Sequence, residues 1–298
     1  LGVEFRPRHR WKGWAKDGDL AFDWEVRAGA NNPEAQIGRT EMLYRPKAVV
    51  FALGGASWPR LGSDGTWVAP FAQRGVAIAP LEPANCGVEI QWSGVFVSRF
   101  AGEPLKAIAV THAGQTVRGE VLITKEGLEG GAIYALNEYI RASLKTGNAS
   151  ELTLDLRPSQ TAQEIAAAFP RVSPSQSLAN RLRKACNLSP SAIALLRETG
   201  LPNELFPLEA NADQMASRIK HVTLAVSGFR PIDRAISSLG GVKWSELNNM
   251  MMLVDLPGHF VAGEMVDWTA PTGGYLLQAC FATAYRASLG VTAWLRRN

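Results

Sequence analysis

The residues best suited to chemistry lie near the C-terminus. A short apolar stretch, His259-Phe260-Val261-Ala262, stops at Gly263-Glu264, and Asp267 follows. Pro271-Thr272-Gly273-Gly274-Tyr275 then opens a long helical stretch with the small residues Ala279 and Thr283 one turn apart. Glycines at a helix start let a ligand approach the backbone closely. The free N–H groups and the dipole there favour an anion or an electron-rich carbonyl. A mononucleotide or a flavin suits these properties. A glycine-rich corner with no ligand would have the same residues.

A second signal lies upstream. Lys47-Ala-Val-Val-Phe-Ala-Leu53 is a continuous apolar run that ends at Gly54-Gly55. Such a run reads as a fully buried parallel strand. Ligands of open α/β sheets gather at the carboxyl ends of strands. Two strands ending in glycine, at Gly54-Gly55 and at Gly263, would flank one crevice.

Other chemistries are excluded or weak. Gly-x-Gly-x-x-Gly is absent, and so is a P-loop. Gly55-Ala56-Ser57-Trp58-Pro59 matches a nucleophile elbow only in part, because Pro59 takes the place of its second glycine. Cys86, Cys186 and Cys280 are odd in number, far apart and form no Cys-x-x-Cys. They predict neither a disulfide framework nor a metal site, and they fit a reducing, cytoplasmic compartment. His9, His112, His221 and His259 have no metal-ligand spacing. No side chain stands out as a catalytic acid or base.

These candidates need elements to hold them. Residues 1–28 read as hairpins around Lys16-Asp17-Gly18-Asp19, with Trp11, Trp14 and Trp24 packing across strands. A short helix is expected over 66–74, capped by Gly75. Residues 76–156 alternate as antiparallel strands, interrupted by a helix over 132–144. Residues 159–221 read as helical. Thr161-x-x-Glu164 and Ser173-x-x-Gln176 are capping boxes there, and Ser189-Pro190 is a further start signal. Strands return from Val222. The apolar stretch from Leu276 to Leu295 contains Gln278 and Arg286 and reads as a buried helix, not a membrane span.

The chain has 298 residues, 46% of them apolar, with a net charge of +4. Intrinsic disorder is excluded by that composition. So mild a positive charge does not by itself indicate nucleic acid. The alternative of a nucleic-acid-binding module rests on Arg6, Arg8, Arg10 and Lys12 and on Arg181-Leu182-Arg183-Lys184. Solvated faces are the favoured explanation of both, and a non-catalytic fragment is the bland alternative.

The stretch Phe260-Val-Ala-Gly-Glu264-Met-Val-Asp267, with Pro271-Thr-Gly-Gly-Tyr275-Leu-Leu-Gln278, is similar to the C-terminal flavin motif of bacterial NAD(P)/FAD-dependent oxidoreductases. These are the BaiN-like, aminoacetone-oxidase-type flavoproteins. Ala52-Leu-Gly-Gly55 resembles their Ala-Thr-Gly-Gly loop, and Thr124-x-x-Gly127-Leu128-x-Gly130 resembles their central element. The resemblance implies an α/β fold. A two-dinucleotide-binding, Rossmann-like FAD domain would be interrupted by an antiparallel β-rich domain and a small helical subdomain. The corresponding boundaries are 1–75 and 241–298 for the FAD domain, 76–158 for the β-rich insertion, 159–221 for the helices and 222–240 for the insertion's return strands.

The resemblance further implies FAD as cofactor, with NAD(P)H as a possible reductant and a small-molecule substrate of unknown identity. Gly263, Glu264 and Asp267 would lie near the ribityl and pyrophosphate part. Gly273, Gly274, Tyr275, Leu276 and Leu277 would offer backbone groups to the flavin ring, and Gly54 and Gly55 would line the wall. Leu53 and Leu276 replace the family's usual Thr and Asn, so only backbone contacts carry over at those two positions. The chain begins Leu1-Gly2-Val3 as if in mid-domain. The family's first βαβ unit, with its pyrophosphate-binding glycines, is expected to precede it.

Overall fold

The computed structural model describes residues 2–26, 38–147, 150–200 and 211–298. Contacts divide the chain into two units. The first is Leu1–Glu82, Ser238–Ala270 and Gly274–Asn298, and the second is Pro83–Ser237 with Pro271–Gly273.

The first unit starts with β1 (His9–Trp14), β2 (Leu20–Val26) and β3 (Gly38–Tyr44), an antiparallel sheet in that order. The β1–β2 hairpin turns where Asp17-Gly18 predicts. The indoles of β1 do more than pack across strands. Trp11 and Trp14 lie 5.0 Å apart edge to face, and both meet Phe51 and Phe71 at 5.0–5.8 Å. Phe51 belongs to β4 (Val49–Phe51) and Phe71 to α1 (Val68–Gln73), the short helix that Gly75 follows. This aromatic cluster anchors the hairpin to the strand that leads to Gly54. β5 (Ile78–Ala84) comes next.

The second unit is one sheet covered by helices. Its elements are β6 (Val88–Glu89), α2 (Gly94–Phe100), β7 (Pro104–His112), β8 (Gln115–Ile123), β9 (Gly127–Glu129), α3 (Gly131–Ala135), α4 (Asn137–Lys145), β10 (Ser150–Asp155), α5 (Ala162–Ala168), α6 (Leu178–Cys186), α7 (Pro190–Glu198), α8 (Ala212–Lys220), β11 (Val222–Val226) and β12 (Gly228–Phe229). The strands pair antiparallel in the order β11-β10-β7-β8-β9-β6-β12. Leu152, Leu154, Val110 and Ile123 of the sheet share one core with Ile165, Phe169, Leu182, Leu195 and Met215 of the helical stretch. The Thr161–Glu164 capping box forms as expected. Ser173 does not start a helix. Its hydroxyl accepts from Ser175 N–H in a turn, and Ser177 caps α6 instead.

Two polar side chains fasten this core. Buried Asn137 accepts from Cys86 N–H at 2.7 Å and donates to the Cys86 and Ile133 carbonyls at 3.0 Å. Buried His112 bridges the Glu151 carbonyl and the Ser143 hydroxyl. In the Thr124–Gly130 element, Thr124 Oγ1 accepts from Gly127 N–H. Asp155 is held by Lys220 at 2.6 Å.

The chain then re-enters the first unit with β13 (Ser237–Val242), which pairs β5, and β14 (His259–Val261), which pairs β4. It ends in α9 (Tyr275–Leu295). The β4–β14 pair is parallel, in the register His259↔Val49, Phe260↔Val50, Val261↔Phe51. The expectation of a fully buried β4 fails at two of its three residues, since Val49 is only half-buried and Val50 is exposed. Phe51 is buried, but Val50 is 42% exposed, because among the described residues β4 has a neighbour on one edge only. No helix among the described residues is long and apolar enough to cross a membrane.

Candidate functional site

The parallel pairing of β4 and β14 brings the two glycine-ended strands side by side with their carboxyl ends together. Ala262 N–H donates to the Phe51 carbonyl at 2.9 Å, just before both chains turn away. Gly54 follows β4 with φ +74° and Gly263 follows β14 with φ +76°, a left-handed backbone that glycine adopts without strain. This is the position at which open α/β sheets place their ligands.

The two walls are tied together. Glu264 accepts from Gly55 N–H at 3.2 Å through one carboxylate oxygen and from Ser238 N–H at 2.8 Å through the other. Ser238 Oγ accepts from Ala56 N–H at 2.8 Å. The approach is close enough that a side chain at Gly55 has no room, since a Cβ there would stand 2.4 Å from Ser238 Oγ. Trp67 Nε1 donates to the Gly54 carbonyl at 2.9 Å and holds the loop from its other side. Ser238 and Trp67 went unnoticed in the sequence, where nothing local marks them.

Gly263 N–H donates to Thr283 Oγ1 at 2.9 Å, and Thr283 itself bonds the Ala279 carbonyl. The small residues of α9 thus lay the helix against the β14 wall. Asp267 is fixed through its backbone, its N–H donating to the Val242 carbonyl at 2.9 Å. Its carboxylate has no partner among the described residues. The Cys280 thiol is pushed up by burial and by the nearby Glu264 carboxylate, which makes it a poor nucleophile.

Gly273 and Gly274 both have positive φ, +103° and +90°, and Gly274 caps α9 without a side-chain bond. The first intrahelical bond at this end runs from Gln278 N–H to the Gly274 carbonyl. Helix geometry therefore leaves the N–H groups of Tyr275, Leu276 and Leu277 as donors. In the first unit a recess of about 370 Å³ lies on the β1 side of the Gly54 loop, lined among others by Arg8, Trp11, Leu53, Asp64 and Trp67. Arg10 and Asp64 form an ion pair at 2.6 Å across its rim. No group of three His, Cys, Asp or Glu side chains placed to hold a metal occurs among the described residues.

The chain is similar to known proteins. The 3-dehydro-bile acid delta(4,6)-reductase of Clostridium scindens is 26% identical over 253 residues, which cover 80% of this chain and 60% of that protein. The ribosomal RNA dihydrouridine synthase of Haemophilus influenzae is 22% identical, over 86% of this chain and 63% of its own length. Its Escherichia coli namesake is 23% identical, over 82% and 60%. The chain thus spans about three-fifths of the length of these relatives. Residues 1–290 match the family described as HI0933-like protein Rossmann domain. With that match running through nearly all of its 298 residues, the chain belongs to the HI0933-like Rossmann domain family.

Proposed function

We propose that this chain is part of an FAD-dependent reductase, with the crevice at the ends of β4 and β14 as its flavin site. The observation that carries the reading is the parallel pair with both glycine turns at one end and a glycine-opened, 21-residue helix packed beside it. The residues fit the cofactor. The donors at the start of α9 suit an electron-rich ring carbonyl, and no atom stands within 4 Å of a Cβ built on Gly274. Asp267 offers a carboxylate to a ribityl or ribose hydroxyl. Glu264 acts through Gly55 and Ser238, as the tie that sets the width of the crevice.

FAD, when bound, supplies two-electron transfer that the side chains of this fold do not. The chain's own contribution is position and electrostatics. The α9 dipole and its N–H groups favour negative charge at the ring edge. Leu53 and Leu276 present apolar side chains and leave recognition there to the backbone. NAD(P)H is the proposed reductant. The three free cysteines support a reducing, cytoplasmic setting.

The relatives' names narrow the chemistry. A 3-dehydro-delta(4,6) steroid acid and a uracil base both present a C=C bond conjugated to a carbonyl, and both reactions saturate such a bond. We therefore assign the substrate to this electron-poor class, whether free molecule or nucleobase.

The surface of the first unit supports the expectation of a further βαβ unit. On α9, Leu277, Phe281 and Tyr285 are 58–65% exposed and follow one another at four-residue spacing. Together with the edge of β4 that has no strand partner among the described residues, they are an apolar face of the kind that folded domains cover. A strand added to β4 and a helix on that side would complete a two-dinucleotide-binding domain. Visible absorption of the purified full-length protein tests the reading. A flavin spectrum that survives gel filtration is expected; a folded full-length protein that never retains flavin overturns it.

A further inference from the structure

The helices α2, α6 and α7 of the second unit frame a groove of about 450 Å³. Arg99, Arg183 and Arg197 line it, one from each helix. All three are exposed, and none has a carboxylate within 4 Å among the described residues. Among the described residues the only acid lining the groove is Glu198, and both its oxygens are engaged by Ser93, at 2.5 Å from the backbone N–H and 2.8 Å from the hydroxyl. A second groove of about 560 Å³ adjoins the first, sharing Arg99, Phe100 and Pro190 with it and adding Lys106 and Arg157. Five basic side chains thus follow one track, against Glu198 and Glu103. Phe100 is half-buried midway, with the Arg99 guanidinium 5.6 Å from its ring centre.

The sequence motif Arg181–Lys184 is divided by the fold. Arg181 is only 5% exposed and belongs to the interior, whereas Arg183 faces the groove. A solvated helix face explains a single arginine. It does not explain three that converge from separate helices with no acidic partner among the described residues.

We propose that this double groove binds the phosphodiester backbone of a single-stranded nucleic acid, independently of the flavin reading. Guanidinium groups pair with phosphate oxygens in bidentate fashion. A basic groove with an aromatic or a stacked guanidinium on its floor accepts unpaired bases without regard to sequence.

The test is fluorescence anisotropy of the 298-residue chain with labelled oligouridine and oligothymidine, one RNA and one DNA. Binding that weakens with salt is expected for at least one strand type. The combined variant Arg99→Glu, Arg183→Glu, Arg197→Glu should lower affinity at least ~10-fold, and the milder triple Gln variant should reduce the salt slope by about 2. All three positions are exposed, so circular dichroism of both variants should match the parent. Absence of binding by either oligonucleotide at low salt overturns the proposal. So does a triple variant that binds like the parent, or a polyglutamate peptide that displaces the strand at equal charge concentration.

Discussion

The second unit and the first bury their apolar residues in different ways. In the second, five of the seven strands of the sheet are paired on both edges, and the helices α5 to α8 share its core. Core side chains such as Phe169, Leu152 and Ile140 are completely buried. In the first, the sheets have two or three strands among the described residues, and the apolar face of α9 looks outward. The aromatic cluster of Trp11, Trp14, Phe51 and Phe71 is well packed, but it covers only one side of β4. A unit built for its own stability resembles the second. A unit that leaves a parallel strand edge and a helix face open is shaped by what binds there.

The largest effect that could break this contrast comes from truncating equivalent rings. Phe169→Ala removes a fully buried ring and should cost about 3–5 kcal/mol in chemical denaturation. Phe281→Ser removes a ring that is 62% exposed and should change stability by no more than about 0.5 kcal/mol in the same chain. Should Phe281→Ser cost as much as Phe169→Ala, the stripe on α9 is already covered and the contrast is lost.

The crevice offers a sharper test of intermediate size. Gly55→Ala forces a methyl group against Ser238, and overpacking of this kind costs about 1–3 kcal/mol. Glu264→Gln leaves the volume unchanged but turns an NH₂ toward one of two backbone donors, leaving that donor unsatisfied at about 1–3 kcal/mol. Both should lower the denaturation midpoint of the first unit and, in the full-length protein, the fraction that retains flavin. Full flavin occupancy in Gly55→Ala would place the cofactor away from these turns.

What the sequence made legible was mostly local. The Thr161–Glu164 box, the Ser189-Pro190 start and the Asp17-Gly18 turn each satisfy their own backbone within four residues, so their signal is complete in a short window. Ser173-x-x-Gln176 shows the limit of such windows. The pattern is present, but Pro174 and Ser175 close a turn, and the apolar spacing that drives a helix begins only at Leu178. The helix α2 escaped notice because it is 7 residues long and announced only by Ser93. The long-range ties were out of reach. Gly55 and Glu264 are 209 residues apart, and Cys86 and Asn137 are 51 apart. The glycines named the crevice, but the serine and tryptophan that hold it open to a fixed width depend on topology, which no spacing along the chain reveals.

The smallest expected effect concerns pH and separates the two units once more. His259 sits at the start of β14 against the aromatic cluster. Trp14 Nε1–H donates to its Nε2 at 3.1 Å, and its Nδ1 lies 3.1 Å from the Pro257 carbonyl. An indole only donates, so Nε2 must accept, and the ring is the neutral tautomer with its proton on Nδ1. Burial holds its pKa below the usual 6.5, the Pro257 and Leu256 backbone groups oppose that shift, and Arg74 adds to it. The folded state therefore takes up a proton less readily than the unfolded one. Its stabilising contribution is complete above 6.5 and is lost as pH falls toward and through the folded value. One such group changes stability by at most about 1.4 kcal/mol per pH unit. In the second unit, buried His112 instead bridges the Glu151 carbonyl and the Ser143 hydroxyl. Denaturation of the first unit, which holds all but Trp92 of the nine tryptophans and is followed by their fluorescence, should shift to lower denaturant as the pH drops below neutrality. His259→Phe should flatten that shift, and an unchanged pH profile in the variant would assign the dependence to another group.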